Sequence, residues 1–223
     1  MMNRKLILRL VAVILGILGI TVLASVVFPI INYELTSQQK YPDLLSPVAE
    51  NKENIELIKE SDLTRASNWF IGGAEREAFY SNSVSYYTIT ISKLKINNAT
   101  VAIGGEDLSK NLIQYPGTAI PGKRGNAVIF GHSVLPIFFN PKDYMTMFST
   151  LPNLKKGDEI FVNYDGVSYK YKVENMFEVM PTDIQVLEQD SSDSFLTLVT
   201  CVPPGDPRKP KRLIVRARIV FPS

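Results

Sequence analysis

The sequence predicts a mostly β domain, a barrel or a sandwich, which one N-terminal transmembrane helix holds outside a membrane. After residue 85 the chain contains six or more short, strand-like runs and little helical pattern. Before them, the stretch from Leu10 to Ile31 has no charged residue and is rich in Leu, Ile and Val. The expected division is a cytoplasmic tail (1–9), a transmembrane signal-anchor helix (10–31), an extracellular stalk (32–85) and the β domain (86–223).

The N-terminal apolar run is long enough to cross a bilayer, which takes about 20 residues. Arg4, Lys5 and Arg9 precede it, and the first acidic residue is Glu34. The positive-inside rule therefore places the tail in the cytoplasm and the rest of the chain outside the cell membrane. A cleaved signal peptide is the alternative, with Val22-Leu23-Ala24 as its cleavage site. Because the run is longer than a usual signal-peptide core, we expect an uncleaved anchor.

The charge balance and the cysteine count narrow the function further. The chain has 24 basic and 22 acidic residues, and three of the basic ones lie in the tail. The exported part is therefore nearly neutral and lacks the basic surface of a nucleic-acid-binding protein. With a single cysteine the chain cannot form an internal disulfide, so its core must stabilise it. A lone exported thiol is either a buried apolar residue or a reactive group.

The stalk is polar and mixed in composition. Its segment "AENKENIELIKESDLTRASNWF" is a candidate helix that ends near Gly72-Gly73. The β pattern begins at "YYTITISKLKI", where apolar and polar residues alternate. The alternation changes phase between Ile91 and Leu94, which suggests a bulge.

The remaining strands follow in order. "NAVIF" (126–130) is a short buried strand that Gly131 ends, and "DEIFVNYDGVSYKYKVENMFEV" is two strands around the turn Asp165-Gly166. "FLTLVT" and "RLIVRARIV" are two further strands. Only residues 143–151 and 182–189 have a helical pattern.

Two singular residues are the candidates for chemistry. Cys201 is the only cysteine and His132 the only histidine, and each lies where a β-branched run ends and a loop begins. Rigid scaffolds present catalytic groups at such positions, and a neighbouring imidazole favours the nucleophilic thiolate. Each residue alone is more often structural, but their coincidence favours a Cys–His pair. Two ligands are too few for a zinc site.

Several fragments, in the same order along the chain, resemble the sortase family. "TLVTC" followed by Arg212 in "KRLIVRA" is similar to the sortase signature of a threonine, the cysteine and a later arginine. "YPGTAIPGKRGNAVIFGHS" resembles the segment around the sortase histidine, and "KLKINNATVAIGG" and "LKKGDEIFV" resemble its strands. The similarity runs from about residue 87 to 220 and includes the N-terminal anchor. It implies a closed sortase-type β-barrel with a few short helices.

The resemblance also implies a mechanism. Cys201 would be the nucleophile, His132 the general acid and base, and Arg212 the cation that stabilises the oxyanion, with Thr200 as a weaker candidate for the oxyanion site. The reaction would be transpeptidation, in which an L-P-x-T-G-like sorting signal of an exported protein forms a thioester on Cys201. An amine of the cell envelope or of a pilin would then accept the acyl group.

Four arginines follow Cys201 closely, and the strand geometry selects one of them. Alternation places Arg212, Arg216 and Arg218 on one strand face. At about 3.3 Å per residue, Arg216 lies ~13 Å beyond Arg212, so Arg212 fits best beside the thiol. Arg208 lies in the proline-rich loop "CVPPGDPRKP" and is expected to be solvated. This stiff loop is a candidate wall of the substrate site.

No cofactor is expected. Glu106, Asp107 and Asp158 are acids that could form a calcium site of the kind some sortases carry, but no metal-binding motif supports it.

The type of sortase is indicated only by what the sequence lacks. Some pilus-building sortases have an aspartate–proline–aromatic lid motif and often a second membrane segment. Here "SNWFIGG" (67–73) offers aromatic residues without that motif, and the chain ends at Ser223. This favours wall anchoring over pilin polymerisation.

Three other functions are alternatives. The site could belong to a membrane-tethered cysteine peptidase that uses water, or the barrel could bind a wall component without catalysis. An L,D-transpeptidase is disfavoured, since that family has a glycine immediately before its cysteine and this chain has Thr200.

Overall fold

In the computed structural model, eight strands close into one β-barrel, which confirms the predicted barrel over a sandwich. The structure describes residues 4–41, 62–80, 85–208 and 210–220. A helix, α1, spans Arg4–Lys40. The strands are β1 (Ser85–Ile91), β2 (Ile96–Ile103), β3 (Leu112–Gln114), β4 (Gly125–Phe130), β5 (Glu159–Tyr164), β6 (Val167–Val179), β7 (Ser194–Val202) and β8 (Lys211–Val220). Their order around the barrel is β1-β2-β3-β4-β7-β8-β6-β5.

The strand pairing brings the ends of β4 and β7 and the start of β8 to one end of the barrel. β4 pairs parallel with β7, with Phe130 opposite Val199, so both strands end at the same edge. β8 pairs antiparallel with β7, with Cys201 opposite Arg212. We call this the site end, because Cys201, Thr200 and Arg212 lie there and His132 lies just after the end of β4.

The barrel packs apolar side chains on both of its faces. Alternate residues of each strand point inward, and the interior cluster includes Leu198, Val202, Leu213 and Val215. The outward-facing residues between them form a second buried cluster with the chain that precedes β1. The barrel residues of that cluster include Val128, Phe130, Val199, Cys201 and Ile214.

The predicted hairpin is confirmed, and a register shift of the bulge type lies in β1 between Ile89 and Ile91, just before the place where the sequence suggested a bulge. Asp165 and Gly166 have φ of 51° and 74° between the paired residues Tyr164 and Val167, as a two-residue type I′ turn requires. The phase change after Ile91 is instead a turn between two antiparallel strands. The chain reverses there through a 3₁₀ turn over Ser92–Leu94 and a left-handed Lys95 at φ 59°. Such a turn interrupts the alternation of apolar and polar residues in the same way as a bulge does.

The two helical patterns form short 3₁₀ helices. These are Met147–Asn153 and Ile184–Leu187. Pro152 lies inside the first of them, and it cannot donate the backbone hydrogen bond that an α-helix would need.

The chain between the apolar run and the barrel is only partly described. α1 continues to Lys40, and most of the candidate helix of the stalk falls in residues 42–61, outside the described residues. Residues 62–80, which we call the cover segment, pack against the outer face of the barrel. Their buried apolar side chains are Leu63, Ala66, Trp69, Phe70 and Phe79. The boundaries between tail, stalk and β domain stay predictions.

Candidate active site

Cys201 and Arg212 are cross-strand neighbours at the site end. They are directly opposite each other in the β7–β8 pairing, so both side chains lie on the same face of the sheet. That face is the outer one, because Cys201 belongs to the outer cluster. Both residues are buried, with 1% and 0% of their surfaces exposed. Burial lowers the pKa of Arg212, and the interaction with Cys201 opposes this shift.

The backbone around His132 is tied to β7 on both sides. The Gly131 amide donates to the Val199 carbonyl at 3.1 Å. On the other side, the Ser133 hydroxyl donates to the Cys201 carbonyl at 2.6 Å. The loop that carries the histidine is therefore held beside the cysteine. Gly131 is needed here, since a Cβ atom would lie 2.4 Å from the Phe148 ring.

Thr200 is on the opposite face of β7 from the thiol. Its cross-strand partner is Leu213, which belongs to the interior cluster. Its hydroxyl donates to the Gly131 carbonyl at 2.8 Å. This geometry favours positioning of the His132 loop over a direct contact with an oxyanion; the oxyanion role stays a prediction.

Trp69 of the cover segment lies over the site, and the sequence reasoning did not single it out. Its ring stacks on Phe130 at 5.0 Å between centroids and meets the His132 ring edge-on at 5.9 Å. The Arg212 guanidinium carbon is 5.6 Å from the Trp69 ring centre, and its Nε donates to the Trp69 carbonyl at 3.1 Å. The thiol is thus sealed by the cover segment outside the barrel. The one available signal was the aromatic pair of "SNWF" in a polar stretch.

The cover segment is fastened by a buried carboxylate. Glu106, in the loop between β2 and β3, accepts hydrogen bonds from Arg65 and Arg76, both at 2.8 Å, and from Ser67 at 2.7 Å. Burial raises the pKa of Glu106, but the hydrogen bonds from Ser67, Tyr80 and Arg76 outweigh it and lower the pKa overall. We call Glu106, Arg65 and Arg76 the clamp.

The acids considered for calcium do not form one cation site. Glu106 is held in the clamp, and Asp107 pairs with Lys110. Asp158 pairs with Lys93, which precedes β2, whereas Glu106 and Asp107 follow it. Within the described ranges no group of three or more His, Cys, Asp or Glu side chains is placed to hold a metal ion.

The other three arginines have separate partners. Arg216 donates to the Thr197 hydroxyl at 3.4 Å, and Arg218 pairs with Glu174 at 2.9 Å. Arg208 has a side chain that is 64% exposed and pairs with Asp206. Of the four, only Arg212 is opposite Cys201.

The loops after Cys201 and after His132 pack on each other. Gly205, in the β7–β8 loop, has φ of +85°, and a Cβ atom there would lie 2.4 Å from Leu135. Glycine is therefore required both for the backbone conformation and for the close approach. The two loops therefore pack together next to the Cys201 backbone.

Comparisons with known proteins agree with this barrel. The family model described as "Sortase domain" matches residues 89–220. Sortase A of Bacillus anthracis is 24% identical over 229 residues, covering 98% of this chain and 97% of that protein. Two solved structures are each 28% identical over 61% of this chain. A sortase D5 transpeptidase of Clostridium perfringens has a TM-score of 0.52 with 79% of its chain covered, and sortase C-1 of Actinomyces oris has 0.53 with 73% covered.

The matched domain covers all eight strands except the start of β1. An eight-stranded barrel of this order, matched in this way, defines a class of cysteine transpeptidases. The chain belongs to the sortase family. Sortases act through a cysteine, and this chain contains one. Its relatives include sortases named A, C and D, so the comparisons do not separate wall anchoring from pilus assembly.

Proposed function

We propose that the protein is a membrane-anchored sortase with Cys201 as nucleophile, His132 as general acid and base, and Arg212 as the oxyanion-stabilising cation. The observation that carries the proposal is the pairing of Cys201 with Arg212 across β7 and β8. The hydrogen bonds from Gly131 and Ser133 to β7 hold the His132 loop at the same end of the barrel. His132 and the pair of Cys201 and Arg212, which are about 70 to 80 positions apart in the sequence, thus share one end of one barrel.

The proposed reaction transfers an acyl group in two steps. The Cys201 thiolate attacks the Thr–Gly carbonyl carbon of an LPxTG-like signal, and Arg212 offers the developing oxyanion a permanently charged donor. The C–N bond then breaks, and His132 protonates the leaving amine. An acceptor amine attacks the thioester, gives its proton to His132 and releases the thiolate. No cofactor takes part.

The proposed location is the cell membrane, with the N-terminus in the cytoplasm and the barrel outside. α1 supports this, because Ile7–Lys40 is long and apolar enough to cross a membrane. The donor substrates would be exported proteins with a sorting signal, and the acceptor amine would belong to a wall precursor or, as the alternative, to a pilin lysine.

The test uses the full chain in lipid nanodiscs with a panel of LPxTG-like peptides, with and without a diamine. Mass spectrometry should detect the peptide–amine adduct and a thioester on Cys201, and both should vanish in Cys201→Ala. Cleaved peptide without adduct at high diamine would instead identify a cysteine peptidase. Absence of cleavage across the panel, together with retained binding to wall material in Cys201→Ala, would favour the non-catalytic barrel.

A further inference from the structure

The loop after His132 exposes two large apolar side chains at its tip. Ile137 and Phe138 are 69% and 65% exposed, within the 3₁₀ turn Pro136–Phe138. The other strongly exposed large apolar residues in the described part of the chain beyond α1 are single in the sequence: Tyr80, Tyr86, Ile120, Val167 and Ile184. An adjacent, outward-pointing pair of this kind marks a contact surface.

The tip lies beside the helix that we assign to the membrane. Pro136 lines the same cleft, of about 260 Å³, as Pro29 and Asn32 of α1. Pro204, from the loop after Cys201, lines it too. Both loops therefore line this cleft together with α1.

The level of this contact along α1 can be placed relative to a bilayer. The charge-free run ends at Ile31, and at 1.5 Å rise per residue Pro29 lies about 3 Å inside that end. The run from Leu10 to Ile31 is about 33 Å long by the same rise, close to the thickness of a hydrocarbon core. The cleft extends along the helix from Pro29 to Tyr41, so Pro136 faces the part of α1 that begins at the outer boundary of the hydrocarbon and continues into the headgroup region, where amphipathic elements bury their apolar side chains.

Beyond Pro29, on the side away from the hydrocarbon, α1 is also hydrogen-bonded to the barrel. Tyr33 donates to Glu178 at 2.7 Å, and the Tyr41 hydroxyl donates to the Pro152 carbonyl at 3.2 Å. The barrel therefore cannot swing freely about α1 without breaking these contacts, so the tip keeps a defined height.

We propose that Ile137 and Phe138 insert into the outer leaflet of the membrane that α1 spans, so that the site end of the barrel faces the lipid surface. The partner is the boundary between lipid headgroups and acyl chains, which suits two apolar side chains next to a transmembrane helix. This inference rests on the membrane anchoring under the proposed function. Its consequence is that the thiol works close to the membrane, where a peptide tethered by its own membrane segment would be presented.

The test measures lipid contact of single positions in the full chain. In a Cys201→Ala background, Ile137→Cys is labelled with a fluorophore in nanodiscs of phosphatidylcholine and phosphatidylglycerol, with and without doxyl-labelled lipid. We expect the label to lose most of its emission to the doxyl lipid. Val167→Cys is the matched control, since Val167 is 50% exposed in the β5–β6 turn, at the other end of β6 from the site, and its label should keep its emission.

A third position separates this inference from the anchoring on which it rests. Ile17→Cys lies in the middle of the apolar run and should be quenched if α1 spans the bilayer. Quenching at 17 but not at 137 would overturn the inference and leave the anchoring intact. Quenching at neither position would overturn both. If the doxyl lipid does not quench the label at 137, but the label becomes shielded from water as the protein concentration rises, Ile137 and Phe138 would instead be assigned to a contact between copies of the chain.

A second measurement addresses the functional consequence. The double variant Ile137→Ser with Phe138→Ser should cleave a soluble LPxTG-like peptide at the unchanged rate, and should cleave severalfold more slowly a peptide anchored in the same nanodisc by a transmembrane tail. A loss on both peptides would point to disruption of the His132 loop, and unchanged rates on both would contradict presentation at the membrane.

Discussion

At the scale of single residues, the charge of Arg212 is the most specific part of the proposed site. Its guanidinium is buried and opposite the thiol, so Arg212→Ala should lower the rate of acyl transfer by about 10²–10³, the usual loss on removal of one oxyanion donor. Arg212→Lys should recover only part of this rate, because a lysine lacks the planar fork. Cys201→Ala and His132→Ala should abolish or severely reduce turnover.

Arg218→Gln is the matched control for Arg212. It lies on the same strand, pairs with Glu174 and is 48% exposed at its side chain, so turnover should not change. Near-normal turnover in Arg212→Ala would remove that residue from the mechanism.

Substitutions of Thr200 test whether its hydroxyl positions the His132 loop. Thr200→Val removes the hydrogen bond to the Gly131 carbonyl without changing side-chain size. We expect a drop in turnover with the KM for the peptide nearly unchanged, since the His132 loop loses a support. Thr200→Ser, which keeps the hydroxyl, should restore turnover. Failure of the serine variant to do so would mean that the methyl group in the core is what matters.

The sequence alone could nominate the candidate site residues, because Cys201 and His132 are singular and lie at strand ends. Cys201 and His132 each follow a short apolar strand, and Arg212 begins the next one, so the sequence alone indicates their positions along the chain. The contact of Trp69 with His132 and Arg212 was not predictable. It joins residues more than 60 positions apart, and no periodic pattern marks the cover segment.

At the scale of elements, the clamp holds the cover segment over the site, and we expect it to control access to the thiol. Substrate cannot reach a thiol that is 1% exposed, so the cover segment must move before the proposed reaction. Hydrogen bonds to a charged group contribute about 1.5–3 kcal/mol when buried, and less here because Arg65 and Arg76 are 40% and 52% exposed. Glu106→Gln should weaken closure by about 1–2 kcal/mol.

That change should be visible in the chemistry of Cys201. A weakening of about 1.4 kcal/mol raises the open population tenfold, so alkylation of Cys201 by a small thiol reagent should be roughly tenfold faster in Glu106→Gln than in the parent chain. Glu159→Gln, which breaks a surface pair with Lys170, should leave the rate unchanged. Equal alkylation rates in all three chains would show that the clamp does not control access.

The clamp also predicts a pH dependence with a defined sign. The pKa of Glu106 is lowered in the folded chain, so its contribution is fully present above its unfolded pKa of about 4.3 and is lost as pH falls through the lower folded value. Trp69 is the only tryptophan and is buried in the cover segment that the clamp fastens. Its emission should therefore shift to the red in acid, below pH ~4. In Glu106→Gln the red shift should already be present at neutral pH.

At the scale of the whole molecule, the strands followed from local pattern and the closed barrel from the family resemblance, whereas the way the other parts pack on the barrel followed from neither. Alternation and the Asp165-Gly166 turn indicate strands and a hairpin, and these are properties of neighbouring residues. The attachment of α1 depends on side chains such as Tyr33 meeting Glu178, 145 positions away. The polar, mixed composition of the predicted stalk (32–85) contains no signal for such a contact.

The attachment of α1 gives the last prediction. Tyr33 donates to Glu178, which also accepts from Lys211 at 3.2 Å, the residue just before Arg212. Tyr33→Phe keeps the ring and removes only the hydroxyl, and a hydrogen bond to a charged group contributes about 1.5–3 kcal/mol. For a chain of this size the melting temperature should fall by about 2–4 °C per kcal/mol, measured on the full chain in nanodiscs.

Thr36→Val is the control, because its hydroxyl is exposed and bonds within α1 to the Asn32 carbonyl. It should not change the melting temperature. If Tyr33→Phe also leaves it unchanged, while Glu178→Gln lowers it, then Glu178 stabilises the barrel through Lys211 alone, and α1 is joined to the barrel only by its contacts at Lys40 and Tyr41. Glu178 is adjacent in β6 to Val179, the residue opposite Arg212, so the Tyr33 contact joins α1 to the site end of the barrel.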